Sequence, residues 1–261
     1  MASGTEAKLV FERVSKAYDG RGKSQLAAVR DVSLSAHAGQ FVCLLGPSGC
    51  GKSTLLNMAA GFLRPSSGRI LVDGLPIAGP GLDRGVVFQE YALFPWYTVQ
   101  QNVELGPRCK GLPRAERKDL ADHFLGLVGL TQHRDKFPKE LSGGMRQRAA
   151  IARTLANRPP IMLMDEPFGA LDAQTRETLQ DELLAIWEST RTTIVFVTHA
   201  INEAVMLSDQ IAILAAHPGR LVRLIKNDLR RPRSRTGGDV VALEREIYEQ
   251  LGPIHAGDHG R

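Results

Sequence analysis

The sequence predicts an α/β fold: a core with a mainly parallel sheet, an antiparallel β portion near the N-terminus, and an inserted α-helical subdomain. Three observations predict it. Short apolar runs recur at 9–14, 41–45, 70–72, 86–88, 161–164, 194–197 and 211–214, with helical patterns between many of them. Several are apolar throughout instead of alternating, as strands covered on both faces are. Across 91–157 no convincing strand occurs and helical spacing dominates. Finally, a glycine-rich segment at 46–53 joins a buried run to a helix, the kind of strand end at which open α/β sheets bind ligands.

The elements follow in order. The run at 9–14 opens the β portion, and Asp73-Gly74 after the short strand at 70–72 reads as a hairpin turn, which makes this portion antiparallel. FVCLL at 41–45 is a covered strand, and STLLNMAA at 53–60 is the helix after the glycine-rich loop. Within 114–130, Leu120, Phe124, Leu127 and Val128 fall along one helical face. IMLM at 161–164 and IVFV at 194–197 return to covered strands, and 239–251 is an amphipathic helix followed by a polar tail. The organisation expected is a single domain over 1–261, with an α/β core from 8–90 and 158–225, a helical subdomain at 91–157, and a basic stretch plus helix at 226–261.

Composition limits the function. With 261 residues, 43% hydrophobic and 23% charged, the chain can bury a full core. No apolar run approaches the roughly 20 residues that cross a bilayer, and the first residues lack a signal-peptide core. The expectation is a protein of the cytosol or of the cytosolic face of a membrane. Cys43, Cys50 and Cys109 have no metal-type spacing and are expected as reduced thiols. Between Arg220 and Arg235 seven Lys or Arg face one acid, Asp228. That run reads as a solvated surface, with an anionic headgroup layer the main alternative and nucleic acid a minor one.

Gly46-Pro47-Ser48-Gly49-Cys50-Gly51-Lys52-Ser53 fits G-x-x-x-x-G-K-[ST], with Thr54 next in the helix. Glycines let the backbone curl so that successive N–H groups face phosphate oxygens, and the helix N-terminus adds positive potential. Lys52 is expected to reach the β- and γ-phosphates and the Ser53 hydroxyl to ligate Mg²⁺, which makes the core one of the P-loop NTPase type. A glycine-rich turn with a surface lysine is the bland alternative. Asp165 and Glu166 end the IMLM strand at its carboxyl edge. Asp165 suits a metal held through water, and Glu166, one residue on, suits a general base for the attacking water. A helix N-terminal acid pair is the other reading. Leu141-Ser142-Gly143-Gly144-Met145 precedes a helix with Ser142 as its N-cap. Gly143 and Gly144 leave its positive end open to a phosphate, although a simple capped helix would look the same.

Taken together the ordered set is specific. The phosphate loop, Gln89 after a strand, LSGGM, IMLMDEP, Ala170-Leu171-Asp172 and His199 after IVFVT resemble the ATP-binding subunit of ABC transporters, from about residue 9 to residue 251. The resemblance implies ATP and Mg²⁺ as ligands and a head-to-tail pair of such subunits, with Ser142, Gly143 and Gly144 of one copy facing ATP in the loop of the other. It also implies that Tyr18 stacks on adenine, Gln89 senses Mg²⁺ and water, Asp172 touches the dimer partner, and His199 is the γ-phosphate switch. FQEYALFPWYTVQQNV and ILAAHPGRLVRLIKNDLRRPRSR look like the nitrate/sulfonate/taurine importer group, which includes bicarbonate, cyanate and pyrimidine-precursor carriers. The partners so implied are a second, identical subunit, integral membrane permease subunits and, indirectly, an extracytoplasmic substrate-binding protein. Part of Leu93-Phe94-Pro95-Trp96 would line the groove that receives a permease helix. In one respect the chain departs from the group: Ala200 follows His199 where an acid is common. A soluble ABC-type ATPase acting on nucleic acid or ribosomes is the competing reading, and no nucleic acid is expected as a partner.

Overall fold

The computed structural model describes residues 7–19 and 25–256; residues 1–6, 20–24 and the end of the expected polar tail, 257–261, lie outside the described residues. The elements are β1 (Ala7–Asp19), β2 (Gln25–His37), β3 (Phe41–Leu45), α1 (Lys52–Ala60), β4 (Ser67–Val72), β5 (Leu75–Pro76), β6 (Arg84–Val87), α2 (Val99–Cys109), α3 (Arg114–Leu127), α4 (Gly143–Leu155), β7 (Ile161–Asp165), α5 (Ala173–Thr190), β8 (Thr193–Thr198), α6 (Ile201–Leu207), β9 (Gln210–Ala215), β10 (Arg220–Lys226) and α7 (Gly238–Ala256). Two compact units form. One takes the chain up to Gly81 and again from Thr193; the other is Leu82–Thr192.

The first unit holds an antiparallel sheet in the order β2-β1-β4-β5 and a run of strands in the order β10-β9-β3-β8. β3 pairs in parallel with β8 and with β9, as expected of short runs that are apolar on both faces. All five residues of β3 and all six of β8 are buried, and the rings of Phe41 and Phe196 lie 5.8 Å apart. The hairpin at Asp73-Gly74 is present: both residues take positive φ, 48° and 76°, as a tight two-residue turn between twisted strands requires. The sequence reading named no strand at β2. Its buried positions, Val29, Val32, Leu34 and Ala36, fail to alternate evenly because a register shift with Asp31 at φ 49° interrupts them. β10 also went unnamed, because RLVRLIK reads first as a basic run, yet it pairs antiparallel with β9 as an edge strand.

The second unit contains α2, α3, α4 and α5 with the parallel pair β6 and β7. Thr98 caps α2 through a capping box with Gln101. Ala121, Phe124 and Leu125 form the buried face of α3. That face is shifted by one position from Leu120, Phe124, Leu127 and Val128: Phe124 and Val128 are buried, but Leu120 and Leu127 are not.

Candidate functional site

In the first unit, β3 delivers the chain into the loop 46–51 and α1 starts at Lys52. Gly51 is the residue before the helix, at φ 85°; a Cβ there would lie 2.6 Å from Val29 Cγ2 and 2.9 Å from the Ala28 carbonyl. Only glycine fits both the left-handed backbone and that gap. α1 has no side-chain cap and no acid in its first turn, so its positive end is not compensated from within the helix. Lys52 is 4% exposed, and its ammonium donates to the carbonyls of Gly46 at 2.8 Å and Pro47 at 2.9 Å, with Cys50 Sγ at 3.8 Å. The lysine is therefore a buried cation solvated by the loop's own backbone, not a surface side chain. Burial pushes the Cys50 thiol up, and Lys52 only partly opposes this, so the loop's cysteine stays neutral and adds no negative charge.

Other candidates stand in the same unit. His199 follows β8 and is exposed. Next to it, the buried Thr198 hydroxyl donates to Glu203 Oε2 at 2.5 Å and accepts the Ala200 N–H at 3.0 Å. Glu203, 4% exposed, is a residue the sequence reading missed. An acid inside the apolar helix INEAVML, one turn after His199, was the available signal. Tyr18, on β1, is 46% exposed with the Lys16 ammonium 5.4 Å from its ring centroid, so the ring is not committed to the core.

In the second unit, β7 ends at Asp165, and Glu166 takes φ 40°, a left-handed conformation unusual for a non-glycine. Its carbonyl accepts the Gly169 N–H at 3.1 Å. Asp165 and Glu166 are both half-buried at the carboxyl end of the strand. Asp172 caps α5 by accepting the Thr175 N–H at 3.0 Å, and that bond holds its carboxyl below the usual range. Ser142 caps α4 by accepting the Met145 N–H at 3.3 Å. The glycines after it differ. Gly144 is buried, and a Cβ on it would meet Thr175 Cγ2 at 2.8 Å, so it permits close packing of α4 on α5. Gly143 is half-buried beside the Tyr91 hydroxyl.

Gln89 is exposed in the segment after β6. Side chains from the helices hold the next residues in place. The Arg153 guanidinium donates to the Tyr91 carbonyl at 3.2 Å and to the Ala92 carbonyl, and sits 5.9 Å from the Phe94 ring centroid. Arg146 lies 5.4 Å from the Tyr91 ring centroid. Asn102, fully buried, accepts the Phe94 N–H at 2.8 Å and donates to the carbonyls of Phe94, Tyr97 and Thr98. The sequence reading passed over Asn102, whose partners are backbone groups of the segment just before its helix, and Arg153, whose partners are backbone groups distant in sequence. Trp96 remains 66% exposed, with its ring 5.7 Å from Phe94.

The basic run at 220–235 is not the solvated face expected of it throughout. Arg223 pairs with Glu246 and Lys226 with Asp228, whereas Arg231 and Arg233 turn inward onto backbone carbonyls of the first unit. Among the described residues no helix is long and apolar enough to cross a membrane, and no group of three or more His, Cys, Asp or Glu gathers to hold a metal.

Comparison with known proteins gives the family. The profile of the family described as ABC transporter matches residues 29–169. The taurine import ATP-binding protein TauB of Roseobacter denitrificans is 44% identical over 245 residues, covering 94% of this chain and 90% of that protein. The nitrate import ATP-binding protein NrtD of Synechococcus elongatus is 46% identical over 246 residues, covering 93% and 88%. An ATP-binding cassette solved as a dimer in a post-hydrolysis state, bound to ADP and Pi, superposes with a TM-score of 0.75 at 34% identity, covering 85% of this chain and all of that one. The P-loop α/β fold and the ATPase activity expected of it follow, and the nucleic-acid alternative is not favoured. The chain belongs to the ATP-binding subunits of the ABC transporter family.

Proposed function

We propose that this subunit works as a pair and hydrolyses ATP to energise an importer of small anionic or polar solutes of the nitrate, sulfonate and taurine kind. The observation that carries the ATP role is Lys52. Its three donors meet two carbonyls and a weak sulfur acceptor, so a phosphate oxygen can replace the sulfur without breaking the better bonds. The amides of 46–53 and Thr54 supply the rest of the grip at an uncapped helix end. Glu166 is the base that polarises the attacking water, and His199 contacts the γ-phosphate. Tyr18 stacks on adenine. Ser142, Gly143 and Gly144 cap ATP held by the other copy, and Asp172 meets that copy.

Mg²⁺ fits the residues available. The Ser53 hydroxyl, Asp165 and Gln89 each offer an oxygen of the kind such a cation takes, beside waters and substrate phosphates. When bound, Mg²⁺ neutralises charge on the phosphates. Permease subunits and, through them, an extracytoplasmic binding protein complete the system, and the chain rests peripherally on the cytoplasmic side of the membrane. Trp96 and its ring neighbours supply the exposed aromatic surface for a permease helix. The solute class is supported by near full-length similarity to TauB and NrtD. Deleting the gene and testing growth on taurine or nitrate as sole sulfur or nitrogen source checks it. Loss of growth on one, restored by the wild-type chain and not by Glu166→Gln, supports the reading; unimpaired growth on both contradicts the solute class.

A further inference from the structure

α6, the helix just after the candidate switch His199, has seven residues. A helix that short does not hold itself together in water. Its N-cap, Ala200, makes no side-chain cap bond, and its own last turn holds no basic residue. Help comes from twenty and more residues away. Arg233 donates through Nη1 to the carbonyls of Val205 at 2.7 Å, Met206 at 3.1 Å and Ser208 at 2.8 Å. Arg231 donates to the Leu207 carbonyl at 2.6 Å and pairs with Asp209 at 2.5 Å. Asn227 adds a bond to the Val205 carbonyl at 2.9 Å.

These acceptors are the carbonyls that a helix end leaves without internal partners, and two positive charges sit where the helix dipole is negative. Arg233 is itself anchored: its Nε and Nη2 donate to Leu229, and Nη2 also to Asn227. Burial, with Arg231 alongside, lowers its pKa to about 10, so it remains charged at neutral pH. Asp209 also accepts the Phe41 N–H at 2.9 Å, which ties the clamp to the first residue of β3. At the other end of α6, Glu203 reaches back to Thr198, the residue before His199.

We propose that Arg233, with Arg231, is a positioning residue for His199: it grips the carbonyl end of the helix whose other end Ala200 leaves uncapped. Glu203 and Thr198 carry that constraint to the histidine. The basic C-terminal stretch is then part of the catalytic apparatus by position, without touching nucleotide. This inference rests on the reading of His199 as the γ-phosphate contact.

The test uses the full chain. ATP turnover and KM for ATP are measured for Arg233→Met, Arg233→Met with Ala200→Asp, Arg233→Lys and His199→Ala, with hydrogen exchange followed over 200–208. Arg233→Met should lower kcat about tenfold or more at unchanged KM, since a small misplacement of a positioned group is costly. Exchange over 200–208 should rise with it. Ala200→Asp supplies the missing N-cap and should recover part of both effects. If Arg233→Met does not fold, Arg233→Lys serves, because it keeps charge but loses the fork and should give a smaller loss of the same kind. A folded Arg233 variant with normal kcat, or with lower kcat but unchanged exchange over 200–208, overturns the proposal. So does a kcat loss that Ala200→Asp leaves untouched. If His199→Ala itself turns over normally, it is the reading of His199 that fails; loss in His199→Ala beside normal turnover in Arg233→Met removes the clamp alone.

Discussion

The phosphate loop at 46–53, proposed to grip nucleotide, and the segment at 89–98, proposed to carry Gln89 and to face a permease, are held in different ways. The loop is closed by its own atoms. Lys52 binds two carbonyls of the same eight-residue motif, and Gly51 takes a backbone shape that other residues resist. The later segment owes its path to side chains of helices: Arg153 of α4, far along the chain, holds Tyr91 and Ala92, and Asn102 of α2, the helix that follows directly, holds Phe94, Tyr97 and Thr98. Tyr91 and Ala92 take positive φ, 20° and 48°, without being glycine. A grip on phosphate has to be rigid before the ligand arrives, and a local motif achieves that. The proposed role of the later segment, reporting to a partner, would have it move with the elements that hold it, as side-chain tethers allow.

Substitutions in either region probe this contrast. The largest effect belongs to chemistry: Glu166→Gln should cut steady-state ATP turnover by about 10²–10⁴-fold, the range of a lost general base, while nucleotide binding persists. Near-normal turnover would remove Glu166 from that role. Lys52→Met should weaken ATP binding roughly tenfold to a hundredfold in a direct binding assay, because a charge-assisted bond to phosphate is lost. Unchanged affinity would mean the loop grips by amides alone. Asn102→Ala removes the partner of the half-buried Phe94 N–H and Tyr97 carbonyl and should lower stability by about 2 kcal/mol in urea unfolding, with ATP affinity retained. A larger fall in ATP affinity than in stability would erase the distinction between the regions. The smallest effect on folding is expected at Trp96→Ala, within about 0.5 kcal/mol because the ring is largely exposed. The same variant should lose co-purification with the permease; if it unfolds instead, the ring is core.

Legibility in the sequence divides along the same line. The covered strands β3, β7 and β8 announce themselves because burial on both faces leaves continuous apolar runs. The loop at 46–53 is contiguous and its chemistry needs glycine, lysine and hydroxyl at fixed spacing. β2 was harder to read, since a bulge at Asp31 shifts its alternation. Arg231 and Arg233 could not be told from solvated neighbours, because their acceptors are carbonyls at 205–208 and a carbonyl leaves no mark in a sequence. Arg153 was hidden for the same reason. Contacts from side chain to remote backbone are the part that only coordinates reveal.

At the centre of the proposed mechanism, two copies would share each ATP, the loop of one copy facing the Ser142 end of α4 in the other. Sedimentation of Glu166→Gln with and without ATP is the decisive measurement, with Ser142→Arg in the same background as the control. Shared ATP predicts a dimer that forms only with nucleotide and is lost when Ser142 is replaced. A chain that stays monomeric with ATP bound, and whose wild type hydrolyses ATP at full rate regardless of Ser142, would contradict it.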